Sequence, residues 1–484
     1  MDIIEPIFFS SKLHPRRPAL MWIGGGVSYA HVAQSIRRVA RRLREAGITR
    51  ADIVAIDITL AHHHAIVIMA LMHLGVASAS IDANTRAVAE ANGVTVTISD
   101  QPEPRGKTRH VRIAATWFDG EGNPEPLEDT GFRDHDSLLS LKFTSGTTGR
   151  PLPMRANAGE SWRWLHENRF FSLRGRILSM FGFGSNIGVH ALLHGLSNGN
   201  TVCLAGNSQE AFDTIQLCGV ETLLASTMQL RRVAERAREA QEPLHSLRRV
   251  LVGGSSVSSS LVQLAQRYVC NNLFVHYASS QAGFVAIAPA AMIEGRPGAT
   301  GFVMPGVEIE IVDDSGAVLP PGATGELRLR TPRTAARAPL VPDPLALGFR
   351  DGWFYPGDIG RIERDGMLVV AGRKSEIVNI GGEKIAPDLV DDVLAAQPGV
   401  RDAAAFGCGN PDGEEELWAA VVTDAPPDIK ALIAACGHAL GGAAPKVILR
   451  AQAIPRNAAG KILRGQLARE TEELARRARA SGGG

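Results

Sequence analysis

Apolar and polar positions follow two rhythms along this chain. From Tyr29 to Ala46 apolar residues recur every three or four positions with arginines between them, which predicts an amphipathic helix. Ile53 to Ile56 is a short apolar run of buried-strand type, Ala65 to Leu74 reads as a helix, and Val94 to Ile98 reads as a strand. Strand and helix alternate again from Val202 to Val252. Such alternation predicts parallel sheets covered by helices. After about Gly298 the period becomes two, in Val307 to Val312 and Gly325 to Arg330, as antiparallel strands with one wet face require. Residues 331–346, rich in Pro, Ala and Arg, are expected to form a loop. A last segment begins near Ser375, and its strand Leu417 to Val422 and helix Asp428 to Leu440 give it a small α+β character. The tail ending Ser-Gly-Gly-Gly is expected to be disordered. The fold class is therefore α/β: a large N-terminal domain, 1–374, of parallel sheets covered by helices with a β-rich subdomain, then a small α+β domain, 375–484.

Composition narrows the function. A chain of 484 residues exceeds what one hydrophobic core supports. A net charge of +1 creates no global field for nucleic acid or an anionic membrane, so neither is an expected partner. The arginine pairs at 37–38, 41–42 and 231–232 read as solvated helix faces. Five scattered cysteines without a C-x-x-C pair argue against a disulfide framework or zinc site and fit a reducing cytoplasm. No signal peptide is visible at the N-terminus. The apolar stretch Ala65 to Ile81 is interrupted by His73 and Gly75 and reads as a buried helix running into a strand, not a membrane span. His62, His63 and His64 are consecutive and point in different directions on a helix; His190 and His194 share a face but lack an acidic base motif, so packing explains both sets better than metal.

Five segments can carry chemistry. Phe143-Thr144-Ser145-Gly146-Thr147-Thr148-Gly149-Arg150-Pro151 follows an apolar strand and puts hydroxyls and glycines into one turn. It is either a Ser/Thr/Gly-rich surface turn or a cradle for a phosphate chain, glycine letting backbone N–H groups approach the anion. It is not a Walker loop, since no Gly-Lys-Ser/Thr follows at the required spacing. Tyr277, at the end of the run Val275 to Gln281, is a core ring or a platform for a nucleobase; the turn Gly253-Gly254-Ser255-Ser256 likewise ends a strand, where open parallel sheets bind ligands. Asp358, after Pro356-Gly357, is a turn residue or an acceptor for a ribose diol. Gly372-Arg373-Lys374-Ser375 leads through a strand to Gly381-Gly382-Glu383-Lys384-Ile385, a hairpin with a basic lead-in. Lys461, in Gly460-Lys461-Ile462-Leu463-Arg464, is an exposed lysine or a mobile charge for a phosphoryl transition state.

In order and spacing these segments closely resemble the adenylate-forming superfamily of acyl-CoA synthetases, peptide-synthetase adenylation domains and luciferases, over nearly the whole chain. The nearest resemblance is to stand-alone aryl- or acyl-acid AMP ligases. The resemblance implies activation of a small carboxylic acid by ATP and Mg2+ to acyl-AMP and pyrophosphate. Acyl transfer to CoA or to the phosphopantetheine of a separate acyl carrier protein would follow. It places Thr144, Ser145, Gly146, Thr147, Thr148 and Gly149 on the β- and γ-phosphates, Gly254, Ser255 and Tyr277 around the nucleotide, and Ser280 at the α-phosphate. Asp358 would hold the ribose, Arg373 would assist at ribose or phosphate, and Lys461 would bridge the substrate carboxylate and α-phosphate. The small domain would be a mobile lid hinged at Ser375, bringing Gly381, Gly382 and Lys384 to a thiol tunnel. Asn186, Gly254 and Ala282 are the candidate acid contacts.

Three positions depart from the family pattern. Leu152 stands where a phosphate-contacting lysine is usual, with Arg150 or Arg155 as candidate replacements. Gln281 replaces a glutamate that serves Mg2+, and a neutral amide is a poorer ligand for that hard cation. Ser375 replaces an Asp or Lys at the hinge. Ile177 to Asn200 contains no acidic residue to pair with a substrate ammonium, which disfavours a free α-amino acid and leans toward aryl acids. Leu152 and Gln281 motivate the alternative reading, a catalytically weakened member acting as a nucleotide-binding scaffold.

Overall fold

The computed structural model describes residues 1–102, 106–120, 124–145, 151–167, 173–337, 348–380, 383–409, 415–440, 444–456 and 460–481. Two large sheets organise the N-terminal part. In the first, Arg176–Ser179, Thr222–Ser226, Arg249–Gly253 and Leu273–Ser279 run parallel. Gly283–Pro289 then turns back, and the sheet continues antiparallel through Ala299–Val303, Met367–Arg373, Asp358–Ile362 and Gly325–Arg330. The period-two segment forms Glu308–Val312, paired antiparallel with Gly325–Arg330. The second sheet has six strands, with Ile53–Asp57 and Val96–Ser99 parallel inside it and the hairpin Leu138–Ser145/Pro151–Asn157 at one edge.

Local sequence chemistry fixes the covering helices. Ser28 caps the helix Tyr29–Glu45 by accepting from the His31 amide (3.3 Å), and Val32, Ile36, Val39 and Leu43 form its buried stripe. Ser226 and Gln229 form a capping box at Thr227–Ala240. Arginines 37–38, 41–42 and 231–232 lie on these two helices. Ala61–Leu74 starts four residues earlier than its apolar run and ends on Gly75 in a left-handed conformation, followed by the strand Ala77–Ser80. The strand expected at Val94 to Ile98 is Val96–Ser99. His62 and His63 stack on Trp22 and Phe118, and His190 and His194 both pack against Trp164.

The C-terminal residues have their own core. The strands Val400–Gly409, Glu415–Thr423 and Val447–Arg450 form a sheet, the hairpin Val378–Ile380/Glu383–Ile385 lies alongside, and Val390, Leu394, Leu417 and Cys436 are buried between them and the helices Pro387–Ala395 and Ile429–Leu440. The α/β class with a β-rich region and a small C-terminal unit is what the sequence pattern predicts.

Two local expectations are corrected. Pro332–Arg337 is a helix, not loop: the Thr331 hydroxyl accepts from the Thr334 amide (3.0 Å), and proline suits the first helical position. The tail expected to be disordered is helical as far as Ser481, in the helix Arg464–Ser481, whose Leu467 is buried in one cluster with Phe406; Gly482, Gly483 and Gly484 lie outside the described residues.

Gly301 lies at a register shift beside Met367–Arg373, at φ +132°, and a Cβ there would fall 2.3 Å from the Ile287 carbonyl carbon. Gly301→Ala is expected to destabilise the protein by more than about 2 kcal/mol, read as a lowered denaturation midpoint, because backbone atoms cannot yield as a side chain would.

Candidate active site

A cavity of about 460 Å³ opens between the carboxyl ends of the parallel strands and the C-terminal unit. Six residues singled out in the sequence share its wall: Gly254, Ser255, Tyr277, Asp358, Arg373 and Lys461. Strand pairing sets opposite each other Asp358 and Arg373, which begin and end neighbouring antiparallel strands. Arg373 Nε lies 3.0 Å from Asp358 Oδ1, and the Tyr277 hydroxyl donates to Oδ2 in a very short contact. Arg373 also donates to the Pro356 carbonyl. Asp358 is buried, and burial raises its carboxyl above the ordinary value although the Arg373 charge and the Tyr277 bond pull the other way. Burial, then the facing Asp358 charge, pushes the Tyr277 phenol well up, so it stays protonated and donates.

Lys461 Nζ sits 2.9 Å from Glu376 Oε1. The same carboxylate accepts from Arg464 Nε (3.2 Å), and Arg464 Nη2 reaches Asp388 (2.8 Å) and Asp391 (2.6 Å). A further bond joins the two units: the Ser256 hydroxyl lies 3.0 Å and 3.2 Å from the Asp392 carboxylate oxygens. Sequence reading left out Glu376, Asp388, Asp391, Asp392 and the role of Arg464. The available signal was Asp388-x-x-Asp391-Asp392, three carboxylates at helical spacing directly after Ala386-Pro387.

Other singled-out residues lie elsewhere. Ser280 and Gln281 form the turn between Leu273–Ser279 and Gly283–Pro289, with Ser280 exposed, and neither lines this cavity. Ala282 is buried with Val285 and Leu327, and Asn186 starts the helix Asn186–Ser197, capped by Ser185; these also lie outside the cavity wall. Ser375 is exposed in the short turn Lys374–Glu376. Thr144 and Ser145 end the strand Leu138–Ser145, where Thr144 pairs with Leu152, and Lys384 pairs with Asn379. Arg155 is exposed and pairs with Leu141. Gly146, Thr147, Thr148, Gly149, Arg150, Gly381 and Gly382 lie outside the described residues. No group of three or more His, Cys, Asp or Glu side chains is placed to hold a metal among the described residues.

The arrangement suits an anionic nucleotide and an acid. A buried carboxylate held by Tyr277 and Arg373 presents acceptors for a diol, and Lys461 and Arg373 bring positive charge to the same space.

The chain matches the family model of the AMP-binding enzyme over residues 9–337 and that of the AMP-binding enzyme C-terminal domain over residues 389–461. It is similar to a fatty acid–[acyl-carrier-protein] ligase of Streptomyces coeruleorubidus, 24% identical over 96% of this chain and 95% of the relative. It is similar to a feruloyl-CoA synthase of Amycolatopsis sp, 27% identical over 95% of this chain and 97% of the relative. Among solved structures it resembles the o-succinylbenzoate CoA synthetase of Bacillus subtilis in complex with an acyl-adenylate intermediate, with a TM-score of 0.80 and 22% identity, covering 96% of this chain and 97% of the other.

Burial pushes Asp392 up to about 7, opposed by the Ser256 bond and reinforced by Asp391 and Asp388; burial likewise pushes Asp391 up to about 6, against the pull of Arg464. A carboxyl with a raised folded pKa makes the native state hold more protons than the unfolded chain, so stability falls as pH rises from about 4 toward 7. Asp392→Asn removes this penalty while keeping an acceptor for Ser256. The variant is expected to exceed the parent in stability at pH 8 by about 1 kcal/mol or more, the gap narrowing toward pH 5. Denaturant titrations at the two pH values check this.

Proposed function

The chain belongs to the AMP-binding enzyme family, and from that premise we propose how its cavity works as the site of an ATP-dependent, AMP-forming acid–thiol ligase. The enzyme activates a carboxylic acid with ATP and Mg2+ to acyl-AMP and pyrophosphate, then passes the acyl group to a thiol of CoA or carrier-protein phosphopantetheine. The observation that carries the site assignment is the meeting of Tyr277, Asp358, Arg373 and Lys461, drawn from distant parts of the chain, on one cavity.

The chemical difficulty is electrostatic: a carboxylate must approach an anionic phosphate. Lys461 relieves the repulsion by standing between the acid and the α-phosphate, where the attacking oxygen forms its bond to phosphorus and pyrophosphate leaves. Asp358 takes the ribose hydroxyls, and Arg373, already fixed against Asp358, orients that carboxylate and adds positive potential. Ser280, on the turn that follows the cavity-lining strand Leu273–Ser279, would take the phosphates with Thr144 to Gly149, and Gln281 on the same turn would contribute weakly to Mg2+. Residues 375–484 form the moving domain with Ser375 as pivot, exchanging Lys461 for the hairpin segment 381–384 before thiol transfer.

The acid is an aryl or other acid without a free α-amine, supported by the lack of acidic residues between Ile177 and Asn200. The acceptor is CoA or a separate carrier protein. No described helix is long and apolar enough to cross a membrane, and five free cysteines suit a cytoplasmic setting. Leu152 and Gln281 support a second reading, a weakened member serving as a nucleotide-binding scaffold.

Carboxylate-dependent ATP–pyrophosphate exchange over aryl, aliphatic and amino acids tests the proposal. Exchange with aryl acids is expected; none across the panel favours the scaffold. Lys461→Ala is expected to lower the exchange rate about 10²–10³-fold with nucleotide affinity little changed, since its contact strengthens in the transition state. Asp358→Ala is expected instead to weaken nucleotide binding, measured by calorimetry.

A further inference from the structure

His276 is a buried polar side chain that the chemistry above does not use. It stands on Leu273–Ser279 between Val275, which packs in the core beneath the helices Thr227–Ala240 and Ser259–Tyr268, and Tyr277, which bonds Asp358. Side chains alternate across a strand, so His276 faces away from both, toward the sheet face where Leu251, Met304 and Phe284 cluster. Its ring meets the Phe284 ring edge-on at 4.8 Å. His276 is 5% exposed, and neither Nδ1 nor Nε2 has a hydrogen-bond partner among the described residues.

The neighbouring strand makes room for this ring. Gly253 pairs with His276, and a Cβ on Gly253 would fall 2.5 Å from Cε1 and 2.7 Å from Nδ1. A glycine is thus needed at the strand end to admit an imidazole whose polar atoms then find no partner among the described residues. An apolar side chain would satisfy the packing without leaving a buried donor and acceptor unpaired, which is costly. The strand that carries His276 also forms part of the wall of the cavity that holds Tyr277, Asp358 and Lys461. Burial pushes its imidazole down to about 4, so it is neutral at physiological pH, with one nitrogen donating and the other accepting. A neutral ring offers no counter-charge to a second carboxylate or an ammonium.

We propose that His276 determines acid specificity by hydrogen-bonding a neutral polar substituent, a ring hydroxyl or ring amine, on an aryl acid. The proposal rests on the acid-activating reading given above. A hydroxyl can donate to the accepting nitrogen or accept from the N–H, so it pairs one of the two, and a parent acid without it leaves both unpaired. Sites built to bond such a group discriminate strongly against analogues that lack it.

Two measurements test this. In pyrophosphate exchange with benzoic acid and its ring-hydroxylated and ring-amino derivatives, the wild-type protein is expected to prefer one substituted acid by at least about tenfold in kcat/KM, chiefly through KM. In His276→Leu the preference should collapse toward unity while the melting temperature holds or rises; a merely structural histidine would instead lose stability and keep the preference. His276→Gln, which keeps a donor and an acceptor, should restore part of it. Absence of preference in the wild type, or its survival in His276→Leu, overturns the inference. The second measurement needs no turnover and no variant: with histidine ring nitrogens labelled in the wild-type protein, the favoured substituted acid should shift the His276 signals and benzoic acid should not. Ring shifts without exchange would overturn the ligase reading and retain this contact; exchange without ring shifts would do the reverse.

Discussion

The Arg464 guanidinium is the constraint on which the geometry of the cavity depends. Glu376, Asp388 and Asp391 come from a turn and a helix that would not otherwise hold three carboxylates so close, since like charges in a partly dry space repel. Arg464 is 6% exposed at its side chain and also donates to the Ala405 carbonyl at 2.5 Å, so its position is fixed by strand, turn and helix together. Those carboxylates hold its charge more firmly than usual, despite burial. The rigid planar fork of arginine suits several carboxylates at once, which a lysine ammonium at this position would not match. Because Glu376 also binds Lys461, three residues before Arg464, the network fixes where that ammonium stands.

On the large-domain side the corresponding element is Asp358. It is kept almost dry by its strand, yet both carboxylate oxygens are engaged, one by Arg373 and one by Tyr277. A carboxylate so held is pre-organised, and a ligand that replaces or shares those bonds meets a fixed geometry rather than a mobile side chain. The two walls of the cavity therefore follow different designs, a paired acid on one side and a many-membered charge network on the other, with the Ser256–Asp392 bond running between them.

What the sequence reveals follows the range of the interactions involved. Gly325–Arg330 and the helix from Tyr29 are legible because alternation and helical spacing are local properties. The helix Pro332–Arg337 escaped because its composition resembles a loop, although Thr331 and Pro332 are an N-terminal signal. In the site, Tyr277, Asp358, Arg373 and Lys461 were legible as a set through order and spacing. Glu376, Asp391, Asp392 and Arg464 were not, because their meaning lies in pairings across up to 136 residues of chain that no local pattern encodes. His276 lies within the run Val275 to Gln281 without a local signal of its own, since only the fold brings its two nitrogens to a place with no partner among the described residues.

The placement of Glu376 immediately beyond Ser375 bears on the cost of any rearrangement there. With the proposed pivot at Ser375, Glu376, Asp388, Asp391, Lys461 and Arg464 all lie on the same side of it. They would turn as an electrically self-contained group, each ammonium or guanidinium carrying its counterion along, so no buried ion pair of this set need be pulled apart. Among the polar contacts described, those that would separate are small by comparison: the Ser256 hydroxyl–Asp392 carboxylate bond and the facing of Lys461 toward Asp358. A barrier of that composition would suit the swing proposed for residues 375–484 between the two half-reactions.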